Sequence, residues 1–198
     1  MNEQKLPPAE SYSERDIADA VKDLHAQFLE LVPEYDKQIW DPRVALREHS
    51  GSCMAELLYV AGGLLVNGMI NEQDITIGFS KDHGKEHPTG FVGKTGKKYA
   101  HTFMLLTTGN GVTLEMDFRA NRADESPRLK RLLPDELDIG VLYLGDLASA
   151  IVEYASIEGV SGSTVDELIS LHTNNEPGTQ TTELNFKNTD EIKVDEDF

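Results

Sequence analysis

Residues 49–70, which read HSGSCMAELLYVAGGLLVNGMI, decide how the rest of the chain is arranged. A polar turn containing Gly51 leads directly into an apolar run, and the thiol of Cys53 stands where the two meet. The run predicts a helix over about 53–69, and it is apolar on nearly every face, which is typical of a helix packed on several sides. Cys53 then lies in the first turn, where unpaired backbone N–H groups and the helix dipole favour a thiolate over a thiol.

The composition bounds the classes of function. A chain of 198 residues with 39% apolar residues is long enough to bury one core, so a single domain is expected. One cysteine excludes an intrachain disulfide and a cysteine-based zinc site. The net charge of −17 argues against nucleic acid and against an anionic membrane surface as partners. An acidic surface favours solubility and, at most, a basic partner protein.

Charge and turn residues also suggest boundaries along the chain. We expect a flexible lead over 1–12, a single catalytic domain over 13–172 and an acidic mobile tail over 173–198. The last 23 residues contain two lysines against seven acidic residues. No secretory signal is visible at the start, and Glu56, Asn67 and three glycines interrupt the longest apolar run. The chain is expected to be cytoplasmic, or exported without a cleavable signal.

Caps and turns predict the order of the elements. Ser13 and Asp16 form an approximate capping box for a first helix that ends before Pro33, and Asp41 caps a short second helix. Gly109-Asn110-Gly111 is the strongest turn signal, and it predicts a β-hairpin over 99–119. Further strands are expected near 74–79 and 139–144, and further helices near 146–156 and from 163 or 164 onward. Helices first, then mainly strands, then helices indicate an α+β fold.

The hairpin supplies partners for the cysteine. Nucleophilic catalysis needs a base and a group that orients it, and His101 and Asp117 lie on the two strands of the hairpin. A three-residue connection pairs position 107 with 111 and sets these two residues directly opposite each other. A connection one residue longer at each end sets them on a diagonal of the same face. A two-residue connection sets them on opposite faces.

Three segments carry a resemblance to a known family: GSCMAELLYVAGGLLVNGM, AHTFMLL and GNGVTLEMDFRA. Their order, a thiol opening a central helix and then a His and an Asp on successive strands, resembles the transglutaminase-like branch of the papain-like cysteine enzyme superfamily. The resemblance covers roughly residues 41–119. It implies a central Cys-bearing helix packed on a small antiparallel sheet, with Cys53 as nucleophile, His101 as general base and then acid, and Asp117 as the residue that orients the histidine. The superfamily includes bacterial effectors that deamidate a glutamine of a host protein.

Other candidate residues have weaker patterns. The backbone N–H of Cys53 is the natural first donor of an oxyanion hole, and the side chain of Gln38 or the indole of Trp40 is a candidate for the second. His83 and His87 have the spacing of metal ligands on a helix, but their glycine- and proline-containing surroundings favour a mobile loop on the substrate side. No metal and no cofactor are therefore expected.

The remaining basic and histidine residues have ordinary interpretations. His49 is either a cation at a helix end or a rival base, whereas His25 and His172 have the positions of ordinary helix residues. The basic patch at 128–131 is expected to be a solvated helix face.

Two hypotheses from different classes remain. The first is a hydrolase or acyl transferase that attacks an amide through Cys53 and a thioester, as a protein glutamine deamidase, a protease or a transglutaminase, with a protein as substrate and the role of a secreted effector or toxin. The second is a non-catalytic acidic binding module or inhibitor on the same fold, with a degenerate site. A buried Cys53 or a hairpin connection of even length favours the second hypothesis.

Overall fold

The computed structural model describes residues 12–36, 38–80, 91–92, 98–99, 101–117, 128–132, 141–158 and 163–173. Its helices are α1 (Glu14–Leu31), α2 (Pro42–Glu48), α3 (Cys53–Val66), α4 (Leu147–Glu158) and α5 (Val165–Thr173), with a 3-10 turn at Glu72–Asp74. Its strands are β1 (Glu34–Tyr35), β2 (Ser50–Gly51), β3 (Ile75–Ser80), β4 (Phe91–Val92), β5 (Lys98–Tyr99), β6 (His101–Thr107), β7 (Thr113–Asp117), β8 (Arg128–Leu132) and β9 (Val141–Asp146). The α+β class is confirmed. The expected lead and the expected tail, like His83 and His87, fall almost wholly outside the described residues.

Local capping explains where the helices begin. Ser13 and Asp16 exchange both bonds of a capping box, and Asp41 accepts from the N–H of Arg43 ahead of Pro42. Thr164 and Glu167 also exchange both bonds of a capping box, at the start of α5. These three predicted starts are confirmed. The third helix begins at Cys53 as expected but ends at Val66 rather than near 69, because Gly68 has a φ of 63° and turns the chain.

The main sheet has the strand order β8-β7-β6-β3-β9, with antiparallel pairing throughout. The predicted hairpin is confirmed as β6 and β7, which pair Thr107 with Thr113 around a five-residue connection. Gly111 supplies the left-handed residue of that connection, with a φ of 81°. The basic stretch at 128–132 is strand β8 at the edge of the sheet, so the prediction of a helix face there was wrong. Leu129 and Leu132 are three apart, a spacing that fits a helix rather than the period of two of a strand, so these five residues alone did not predict β8.

Helix α3 is the centre of the core. Helix α1 covers one side of it, where Phe28 lies 5.3 Å from Tyr59 between ring centroids. Helix α5 approaches another side so closely that a Cβ on Gly62 would lie 2.8 Å from the carbonyl oxygen of Leu168. The sheet contributes apolar side chains from alternate positions of three strands to the same buried cluster: Ile75, Ile77, Met104, Leu106, Leu114 and Met116. The prediction of a helix packed on several sides is confirmed.

The described helices also bear on membrane insertion. None of those in the described ranges is both long and apolar enough to cross a bilayer.

Candidate functional site

The start of α3 fixes the position of Cys53. Ser52 is the N-cap, and its hydroxyl accepts from the N–H of Ala55 at 3.5 Å. The N–H of Ser52 donates to the carbonyl of Ile39 at 2.8 Å, which holds the turn against the preceding segment. A Cβ on Gly51 would lie 2.8 Å from the Cβ of Ala45, so only glycine fits where α2 and α3 meet. The turn before the cysteine is therefore shaped by close packing as well as by capping.

The surroundings of the thiol oppose its ionisation. Cys53 is half-buried and packs against the core. Burial, followed by the charges of Glu56 and Asp117, raises the pKa of the Cys53 thiol from 9.0 to about 12. Hydrogen bonds from the backbone N–H groups of Cys53 and Met54 lower the pKa, but by less. The expectation of a thiolate at the helix start was therefore wrong, because desolvation and two carboxylates outweigh the helix N-terminus.

The register of the hairpin decides how positions 101 and 117 are related. Phe103 pairs with Asp117, so position 101 lies diagonally across from Asp117 on the strand pair. This is the longer of the two odd connections considered from the sequence. The side chain of His101 is outside the described part of the structure, whereas its backbone begins β6 and pairs with Ser80.

Asp117 is a buried carboxylate at the end of β7, with 6% of its surface exposed. It pairs with Phe103, and strand alternation sets it on the opposite face from the core residue Met116. Asp117 therefore belongs to the face of the sheet that carries Phe103, and not to the face that supplies the core cluster. Its charge nevertheless acts on the Cys53 thiol.

The two candidates for the second oxyanion donor occupy different surroundings. Gln38 is exposed, and its backbone N–H donates to Asp36 at 2.8 Å. Trp40 is buried with 4% exposure, and its ring lies 5.5 Å from the ring of Tyr154. Gln38 lies in the solvent and Trp40 is part of the core. The backbone N–H groups of Cys53 and Met54 both bind the thiol. The N–H of Met54 is therefore a further candidate for the second donor of the oxyanion hole.

A buried ionisable pair beside Cys53 was missed in the sequence. Glu56 has 3% of its surface exposed, one helical turn after the cysteine, and its carboxylate is hydrogen-bonded to Nδ1 of His25 from α1. The available signal was the single acidic residue in an otherwise apolar run. A charge at such a position is expected to have a buried partner.

The described residues hold no group of three or more His, Cys, Asp or Glu side chains arranged to bind a metal ion. Comparisons of the chain with protein-family models, with curated proteins and with solved structures found no match.

Proposed function

We propose that the chain is a cysteine enzyme that attacks an amide of a protein substrate, with Cys53 as nucleophile, His101 as base and Asp117 as the orienting residue. The observation that carries the proposal is the register of β6 and β7, in which positions 101 and 117 share one face, as a base and its orienting carboxylate must. The charge of Asp117, a residue far away in sequence, also raises the pKa of the Cys53 thiol.

The raised pKa of the thiol determines the order of the proton transfers. At neutral pH the sulfur carries its proton, so an imidazole at position 101 has to remove it as the C–S bond forms. The amide nitrogen then takes that proton and leaves as ammonia or an amine, which gives a thioester on Cys53. Water attacks the thioester in deamidation or proteolysis, and a second amine attacks it in transglutamination. Each route regenerates the thiol.

The substrate class follows from the proposed family. A transglutaminase-like arrangement, with α3 packed on the antiparallel sheet, would take a glutamine carboxamide or a peptide bond of another protein. The net charge of −17 favours a basic partner protein. Nucleic acid, an anionic membrane surface, a metal and a cofactor have no part in this proposal.

Thiol labelling tests the proposed catalytic group. The rate of iodoacetamide alkylation of Cys53 is measured by intact mass from pH 6 to 10 in the wild type, His101→Ala and Asp117→Asn. We expect measurable labelling near pH 7 in the wild type and at least about tenfold slower labelling in His101→Ala. His49→Ala is the matched control, since His49 is exposed and its Nδ1 binds the carbonyl of Leu31. Identical slow labelling in wild type and His101→Ala would overturn the proposal.

A second candidate function is a non-catalytic acidic binding module. The specific observation in its favour is the thiol pKa of about 12, which is the behaviour of a buried, unreactive cysteine. If the chain is such a module, the rate of Cys53 labelling should rise only at strongly alkaline pH and should not depend on His101.

If the chain is an enzyme, the intact mass of a candidate protein substrate separates a one-dalton deamidation from cleavage and from cross-linking.

A further inference from the structure

A buried pair of side chains, Glu56 and His25, lies next to the proposed nucleophile and has no role in the mechanism above. Glu56 stands in the first turn of α3, and its side chain is 4% exposed. Its partner is His25 of α1, which is 13% exposed and donates from Nδ1 to the carboxylate. Burying a carboxylate costs several kcal/mol, roughly, before any partner compensates it. A position that is otherwise apolar would be more simply filled by leucine or alanine.

The geometry links this pair to the thiol. Residues 53 and 56 are three apart on one helix, so their side chains lie on the same face. The Glu56 charge raises the pKa of the Cys53 thiol, second only to burial. From the sheet, Asp117 acts in the same direction. His25 acts on the thiol only through Glu56, because its Nδ1 is bound to that carboxylate.

We propose that Glu56, a buried carboxylate held by His25 one turn after the nucleophile, keeps the proton on Cys53 in the resting protein. The inference rests on the proposed nucleophilic role of Cys53. A fixed carboxylate one turn away opposes a negative charge on sulfur. The benefit is chemical protection, because a free thiolate is the form that oxidants and electrophiles attack. The chain has no second cysteine to resolve an oxidised one.

Removing this charge tests the inference. Iodoacetamide alkylation of Cys53 is followed by intact mass from pH 6 to 10 in full-length wild type and Glu56→Gln. The amide keeps the shape of the side chain and an oxygen that can accept from His25. We expect alkylation at pH 8 to rise by at least about threefold, with the whole profile moved to lower pH. Glu48→Gln is the matched control, since its carboxylate is 51% exposed at the end of α2 and its loss should leave the profile unchanged.

Each outcome decides the inference. A Glu56→Gln protein that is folded by circular dichroism but has the wild-type profile overturns it. If Glu56→Gln does not fold, Glu56→Met removes the same charge and fills a similar volume, and the same shift is expected. The alkylation profile of Glu56→Gln tests whether the Glu56 charge acts on the thiol, and the alkylation rate of His101→Ala tests whether His101 is the base. If Glu56→Gln shifts the profile but His101→Ala alkylates like the wild type, the catalytic function is rejected and the effect of the Glu56 charge stands.

Discussion

Within the described ranges, two histidines are bound to α3 from two different helices, and the two contacts differ in kind. His25 of α1 binds the carboxylate of Glu56. His172 of α5 donates from Nε2 to the carbonyl oxygen of Tyr59 at 2.9 Å, and its ring lies 4.4 Å from the ring of Tyr59. One contact involves a charged side chain close to the cysteine. The other involves a neutral backbone group one turn further along.

The comparison separates a structural histidine from one with a chemical consequence. Burial lowers the pKa of His172, so its ring is held neutral against α3 and serves packing. His25 instead compensates a buried carboxylate whose charge acts on the Cys53 thiol. The two residues had the same interpretation in the sequence, and only their partners distinguish them.

The largest expected effect comes from breaking the charged contact. His25→Ala leaves the Glu56 carboxylate buried without this partner, and we expect a loss of about 3 kcal/mol in the free energy of unfolding. The measurement is urea unfolding at pH 7. Replacing both residues by leucine should recover most of the loss, because an apolar pair avoids the unpaired charge. An equal loss in the single and double variants would mean that the charge is not the cause.

A smaller effect is expected where α5 meets α3. In Gly62→Ala the new Cβ would lie 2.8 Å from the carbonyl oxygen of Leu168, so α5 has to move outward. We expect a net loss of about 1–2 kcal/mol, since the gain in helix propensity offsets part of the overpacking. Thermal unfolding measures it. An unchanged midpoint would show that α5 is not tightly held on α3, and the neutral histidine contact would then be weak.

The neutral contact should make stability depend on pH. The pKa of His172 is below its ordinary 6.5 in the folded protein. Between the folded and the unfolded pKa, the unfolded chain therefore binds more protons than the folded protein does. The stability that the neutral ring contributes is complete above the unfolded pKa and is lost as the pH falls below it. Urea unfolding from pH 7.5 to 5 should therefore show a decline that is smaller in His172→Gln. An identical pH dependence in wild type and His172→Gln would contradict this assignment.

The smallest effect is expected at Tyr59. His172 binds the backbone carbonyl of this residue and contacts its ring, and Tyr59→Phe keeps both. We expect the free energy of unfolding to change by less than about 1 kcal/mol and its pH dependence to stay as in the wild type. A lost pH dependence in this variant would show that the phenol, whose pKa burial raises to about 12, takes part in the contact.

Much of the fold could be predicted from the sequence because helix caps and turns depend on residues that are near neighbours in the chain. Ser13, Asp41 and Thr164 each satisfy backbone N–H groups within one turn, so the residues themselves define where helices begin. The turn at 109–111 determined the hairpin for the same reason. Strand β8 could not be predicted from the sequence, because its strand conformation depends on pairing with β7 and not on its own residues.

The site was readable only in part. The position of Cys53 at the start of a helix followed from the Gly51-Ser52 turn and the apolar run after it. The connection length between β6 and β7 was left open, and the structure selected the diagonal register. Glu56 and His25 were not recognised, because their contact joins two helices and has no spacing along the chain.

The sequence by itself determined the class of fold, the starts of the helices and the single thiol at the head of α3, because capping, turns and apolar periodicity act between near neighbours. Only the tertiary structure decided the protonation of that thiol. Desolvation and the charges of Glu56 and Asp117 depend on which elements pack around the sulfur, and they exceed what the helix start supplies. Cys53 is therefore a nucleophile candidate by its place in the sequence and a protonated thiol by its place in the fold.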